Sequence, residues 1–180
     1  TVTSLVAQTK ASARIAVPVT APSAVESVVQ ARGGSVIRTK TDPRYMMTLA
    51  SIPNEKIAFA GDMQGGFIFP EFHPAFDGPF ALAKILEMLS WLQKPLHEVV
   101  AELPSIYMAQ HEVPCPWQRK GAVMRALTVE AQESDQNVEL IDGVRLIKSA
   151  NEWVLALPDA AEPIFRVWAE GATLGDAHDR

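Results

Sequence analysis

Two loops carry residue types from which ligand chemistry could be built. The first lies in GDMQGGFIFPEFHPAFD, residues 61–77. Asp62 follows a glycine, and Gly65 and Gly66 come shortly after it, so backbone and carboxylate can approach a ligand closely. Asp62 can equally satisfy the amides of its own turn. The second loop is LPDAAEP, residues 157–163, which joins two strand-like runs and precedes what reads as a short helical turn. A phosphate site needs exposed amide donors, hydroxyls or a cation. This loop has no Arg, Lys, Ser or Thr, and Asp159 and Glu162 would repel a phosphate. Its composition argues against anion binding.

Other chemistry has less to stand on. His73, His97, His111 and His178 show no ligand spacing, so no metal site is expected. No serine sits in a nucleophile elbow, and no glycine-rich phosphate loop leads from a strand into a helix. The single cysteine, Cys115, stands between two prolines without a neighbouring base, which points to a structural role. One cysteine also favours a reducing compartment, hence the cytoplasm. Basic residues are scattered at a net charge of −5, and Arg119, Lys120 and Arg125 read as the wet face of a helix, so no nucleic-acid partner is expected. Arg38 and Lys40 end a strand, where cations are usually solvated. Trp91, Trp117, Trp153 and Trp168 read as packing residues.

The elements that would position the two loops can be read in order. With 48% hydrophobic residues and no long uncharged apolar stretch, the chain should pack and should not span a bilayer. It opens on Thr1 rather than Met, shows no secretory n-region, and runs directly into a helix-like stretch over 3–9, as a piece of something longer would. Residues 14–19 form a β-branched run, and Ser23 with Glu26 looks like a capping box ahead of a helix striped by Val25, Val28 and Val29. Gly33 and Gly34 end that helix, and a strand follows over 35–39. Strand, helix, glycine, strand is a βαβ unit, which predicts a parallel pair. A short helix over 43–50, a strand over 56–60 and a short strand over 67–69 come next. A helix over 78–93 presents Leu82, Ile85, Leu86 and Leu89, until Pro95 blocks it. A short helix over 96–103 closes this half.

Pro104 marks the expected boundary, giving domains 1–103 and 104–180. The second begins with an alternating strand over 105–113 and a helix carrying Val123, Leu127 and Ala131, with Pro116 in its first turn. Strands are then expected over 138–141, 143–148, 153–157 and 164–169, joined by turns at Asp142–Gly143 and Ala150–Asn151. From Leu174 the chain is polar and should fray. The fold class is therefore α/β followed by α+β: a βαβ-containing mixed-sheet domain, then a smaller antiparallel sheet packed with helices.

These stretches resemble the C-terminal half of the α-D-phosphohexomutases, the phosphoglucomutase and phosphomannomutase family, whose four domains surround one deep cleft. The third domain resembles residues 14–19 leading through GGSVIRTKT, FAGDMQGGFIF and FDG, and the fourth resembles DGVRLIKSANEWVLALPDAAEPIFRVWAE. The family's third-domain loop reads G-E-x-S-G-H, and its Glu and Ser hold sugar hydroxyls. The matching residues are Gly61, Asp62, Met63, Gln64, Gly65 and Gly66, which leaves Asp62 and Gln64 as the implied sugar-binding pair. The family's fourth-domain loop, R-P-S-G-T-E-P, grips the substrate phosphate. Here Leu157 stands for the Arg, and Asp159, Ala160 and Ala161 stand for Ser, Gly and Thr. Pro158, Glu162 and Pro163 remain. Each lost bond to a charged group removes roughly 1.5–3 kcal/mol of phosphate binding.

The resemblance also implies what these residues lack. The phosphoserine loop and the Mg2+ loop belong to the family's first two domains, so this part holds no cofactor of its own. The implied partners are the N-terminal domains of a parent chain and a hexose phosphate. The worn loops are most similar to the mutase-like module of mannose-1-phosphate guanylyltransferase fusions, which makes a non-catalytic module with weak sugar-phosphate binding or an assembly role the expected function. The alternative is the substrate-binding half of an active phosphomannomutase or phosphoglucomutase.

Overall fold

A computed structural model describes residues 1–134 and 137–178. The chain divides into two compact units, Thr1–Ser105 and Ile106 onward. The first is a mixed sheet covered by helices, and the second is an antiparallel sheet with helices.

The first unit is built on a four-stranded sheet in the order β2-β1-β3-β4, formed by β1 (Arg14–Pro18), β2 (Ser35–Thr39), β3 (Ile57–Gly61) and β4 (Phe67–Ile68). β1 runs parallel to both β2 and β3, as the βαβ spacing predicts, and β4 returns antiparallel to β3. Alternate residues of β1 serve opposite faces. Ile15 and Val17 join Phe59 in a core with α1 (Val2–Thr9), α2 (Ala24–Gln30) and α4 (Gly78–Leu92). Ala16 turns the other way, to Met46 of α3 (Pro43–Ala50), Ala60 and Ile68. Each fully buried side chain the size of Phe59 or Ile15 contributes roughly 1.5–3 kcal/mol. α5 (Leu96–Ala101) adds Val99 to the first of these cores.

Three expectations for this unit need correction. The first concerns Ser23, which makes no side-chain cap hydrogen bond. Its capping-box partner Glu26 is instead held by Arg38, whose Nε and Nη2 donate to the two carboxylate oxygens at 2.8 and 2.6 Å. The second is Arg38 itself. Its side chain is 7% exposed rather than solvated, because its guanidinium also donates to the carbonyls of Pro18, Ala21 and Pro22. The third is the inner face of α4. Ala81 and Met88 are buried and Ile85 and Leu89 half-buried, while Leu82 and Leu86 face solvent at 60% and 59% exposure. Asp77 fixes where α4 starts, accepting from the Phe80 amide at 2.8 Å.

The second unit is a five-stranded antiparallel sheet in the order β5-β9-β8-β7-β6. Its strands are β5 (Tyr107–Pro114), β6 (Asn137–Glu139), β7 (Val144–Ser149), β8 (Glu152–Pro158) and β9 (Ile164–Gly171). α6 (Trp117–Glu133) packs on it. Trp153 is the largest side chain fully buried in this unit. Its indole N–H donates to Glu170 directly opposite on β9, and the Arg145 guanidinium lies over the ring at 4.4 Å. The chain does not fray at Leu174. Residues Leu174–His178 form α7, packed against β5 and β9 with Ala177 buried. Thr173 and Asp176 cap it reciprocally: the Thr173 hydroxyl donates to Asp176 Oδ2 at 2.8 Å and accepts from the Asp176 amide at 3.2 Å.

Candidate functional site

The β3–β4 loop begins where β3 delivers Gly61 to the C-terminal end of the parallel strands, the end at which open α/β sheets place ligands. Asp62 Oδ1 accepts from the amides of Gln64 at 2.8 Å and Gly66 at 2.6 Å, and the Asp62 amide donates to the Gly66 carbonyl at 3.0 Å. The turn needs Gly65, whose φ is +90°. Gly66 is held by contact instead. A Cβ there would lie 2.6 Å from Asp62 Oδ2 and 2.7 Å from the Phe76 ring, so no larger side chain fits without displacing them. Asp62 does satisfy its own turn, with one of its two oxygens. No described residue donates to Oδ2. Gln64 contributes its backbone amide to the turn and is exposed.

The β8–β9 loop is positioned by hairpin pairing. Leu157 and Pro158 end β8 opposite Arg166 and Phe165 of β9. The expected short helical turn is absent: the segment between the strands is a series of bends, closed by hydrogen bonds from the Asp159 amide to the Ile164 carbonyl and from the Ile164 amide to the Glu162 carbonyl. Asp159 sits at its centre. Oδ1 accepts from the amides of Ala161 at 2.7 Å and Glu162 at 2.8 Å, and Oδ2 accepts from Arg166 Nε at 2.7 Å. The guanidinium beside Asp159, together with the two amides, holds its carboxyl well below the usual range, at about 2. Arg166 is correspondingly pushed up by Asp159 and Glu112. It also pairs with Glu162 at 3.4 Å and with Glu112 across the β5–β9 ladder.

Lys120 supports the loop from behind. It is buried, contrary to its reading as part of a wet helix face. Its ammonium donates to the carbonyls of Asp159, at 2.5 Å, and Glu162, and lies 3.9 Å from the centre of the Trp117 ring. The loop is therefore not without cations, as its own composition suggests. Two arrive from elsewhere, Arg166 from the facing strand and Lys120 from α6, and both are engaged by the loop itself. The Arg166 contact was accessible from sequence, because pairing β8 with β9 sets Leu157 against it. The Lys120 contact carried no sequence signal. Ala160 and Ala161 are exposed, and Pro163 ties the loop to the neighbouring segment, its carbonyl accepting from the amide of buried Cys115 at 2.7 Å.

Among the described residues no three His, Cys, Asp or Glu side chains come together to hold a metal. No helix among them is long and apolar enough to cross a membrane.

Residues 2–107 match the family model for phosphoglucomutase/phosphomannomutase, alpha/beta/alpha domain III. The chain belongs to the phosphoglucomutase/phosphomannomutase family. It is 34% identical over 161 residues to a probable phosphoglucosamine mutase of Methanopyrus kandleri, and 33% identical over 162 residues to one of Thermococcus gammatolerans. Each alignment covers 89% of this chain and 35% of the relative, so the chain spans about a third of the length of these curated relatives. The fold is also that of a phosphoglucomutase/phosphomannomutase family protein from Burkholderia thailandensis, with a TM-score of 0.78 at 21% identity, covering 99% of this chain and 38% of that one. None of these relatives brings in a guanylyltransferase, and the fusion expected from the worn loops has no support from them.

Proposed function

We propose that this chain is the C-terminal binding module of a phosphohexomutase-type protein acting on a hexose or aminohexose phosphate. It holds the sugar through the β3–β4 loop and contributes no reacting group of its own. Its partners in this reading are the preceding domains of the parent chain, which would carry the phosphoryl-transfer chemistry and any Mg2+. The observation that carries the reading is the division of labour at Asp62. Two loop amides fix Oδ1, and Oδ2 has no donor from the described residues. A carboxylate locked by one oxygen and open at the other is preorganised to accept a sugar hydroxyl. The names of the curated relatives support an aminohexose phosphate as the ligand class.

The test is a titration with glucosamine 1-phosphate, followed by NMR of the backbone amides. Saturable shifts are expected at Gln64 and Gly66, with binding roughly tenfold or more weaker in Asp62→Ala. Asp62→Asn keeps an oxygen for the turn amides and separates loop collapse from loss of the hydroxyl acceptor. Shifts that survive unchanged in both variants would place the sugar elsewhere, and no shifts in the wild type would end the proposal.

A further inference from the structure

The β8–β9 loop has the geometry of an anion site that is already filled. The amides of Ala161 and Glu162 and the Nε–H of Arg166 converge from three directions on one small volume. Successive backbone amides forming a concavity, with a guanidinium at the rim, are the usual means of holding an oxyanion. The oxyanion present is the carboxylate of Asp159, and its side chain is only 16% exposed. We propose that Asp159 is a resident internal anion, which excludes phosphate from a site that the loop backbone and Arg166 would otherwise form.

Both oxygens of the carboxylate are engaged, one by the amides and one by the guanidinium. A phosphate would have to expel the carboxylate from all three donors, and the displaced group would remain tethered beside it as a like charge. Glu162 and Glu112 also face Arg166 and add to the repulsion. Lys120 does not oppose this arrangement. Its ammonium is turned to the loop carbonyls of Asp159 and Glu162, so it orients the loop backbone. This closure of the β8–β9 loop does not depend on the role proposed for Asp62.

The variant Asp159→Ser removes the resident charge and leaves the amides and Arg166 in place. The probe is inorganic phosphate, titrated into the full chain at neutral pH and followed at the Ala161 and Glu162 amides and at Arg166 Nε–H. Saturable shifts at these three groups are expected in the variant, with affinity roughly tenfold or more above that of the wild type. The double variant Asp159→Ser/Arg166→Met should lose that gain. A correctly folded Asp159→Ser that gains no phosphate binding overturns the proposal. So does a wild type that binds phosphate at the same three groups equally well, or a double variant that keeps the gain. If the serine variant fails to fold, the near-isosteric Asp159→Asn serves in its place. The wild type also supplies a direct check: Arg166 Nε–H must be protected from exchange, and rapid exchange there would overturn the proposal.

Discussion

Lys120→Met asks whether the loop is held from behind as the contacts indicate. Methionine keeps an unbranched stem of similar length and removes only the ammonium. Lost with it are two hydrogen bonds from a charged donor, to the carbonyls of Asp159 and Glu162, and the contact with the Trp117 ring. Each such bond contributes about 1.5–3 kcal/mol net. The cation–π contact on a half-exposed ring adds about 0.5–1 kcal/mol. These values are already net of the water the ammonium gives up, and they sum to about 3.5–7 kcal/mol. The contacts share one ammonium on a residue that is 8% exposed, and shared contacts do not add in full, so the expected destabilisation of the unit from Ile106 onward is at the lower end, about 3–4 kcal/mol. Urea denaturation measures it, and amide exchange over residues 157–165 should speed up in step, because the loop carbonyls lose their anchor. A loss below about 0.5 kcal/mol, the range of ordinary surface substitutions, with unchanged exchange in the loop would refute the reasoning and return Lys120 to the wet face of α6.

Two further outcomes are expected. The Asp159 carboxyl is held at about 2, against an ordinary value of 3.8. Its stabilising contribution is fully present above the ordinary value and is lost as pH falls through the folded one. The amide shifts of Ala161 and Glu162 should therefore stay flat from neutral pH to about 4 and inflect only near 2; an inflection at the ordinary carboxylate value would show that Arg166 does not hold the group. On α4, Met88→Ala should cost about 2–5 kcal/mol and Leu86→Gln no more than about 0.5 kcal/mol by urea denaturation, and the reverse order would put the opposite face of the helix inward.

The strands and the parallel βαβ pairing were legible because each rests on local information: β-branched runs, glycine stops and period-two alternation. What the sequence did not disclose depends on partners distant along the chain. Lys120 looks solvated beside Arg119 until residues 39 and 42 positions later bring their carbonyls to it. Arg38 ends a strand, as solvated cations often do, yet the carbonyls that bury it come from residues 16–20 positions earlier. The inner face of α4 was unreadable for another reason. Leu82 and Leu86 are as apolar as Ile85 and Met88, so the periodicity does not choose between faces, and packing on the sheet does. The helix α7 has a local signal, since Thr173 with Asp176 three residues on is a capping pair, although the polar composition around it points to fraying.

The two aspartates show that the same residue type, folded onto its own loop in the same way, can leave a loop open or filled. Both fold back on amides two to four residues ahead, Asp62 on Gln64 and Gly66, Asp159 on Ala161 and Glu162. At Asp62 the second oxygen has no donor among the described residues, so the turn is fixed and an acceptor remains. At Asp159 the second oxygen meets Arg166, so both oxygens of the carboxylate are engaged. Deleting a phosphate ligand such as a hydroxyl would leave amides and guanidinium available, weakening a site without closing it. Placing a carboxylate among the same donors supplies the missing negative charge from within and closes the site to anions. The absence of Ser and Thr from residues 157–163 would then matter less than the presence of Asp159, and placing a hydroxyl at Ala161 while Asp159 remains should not create phosphate binding.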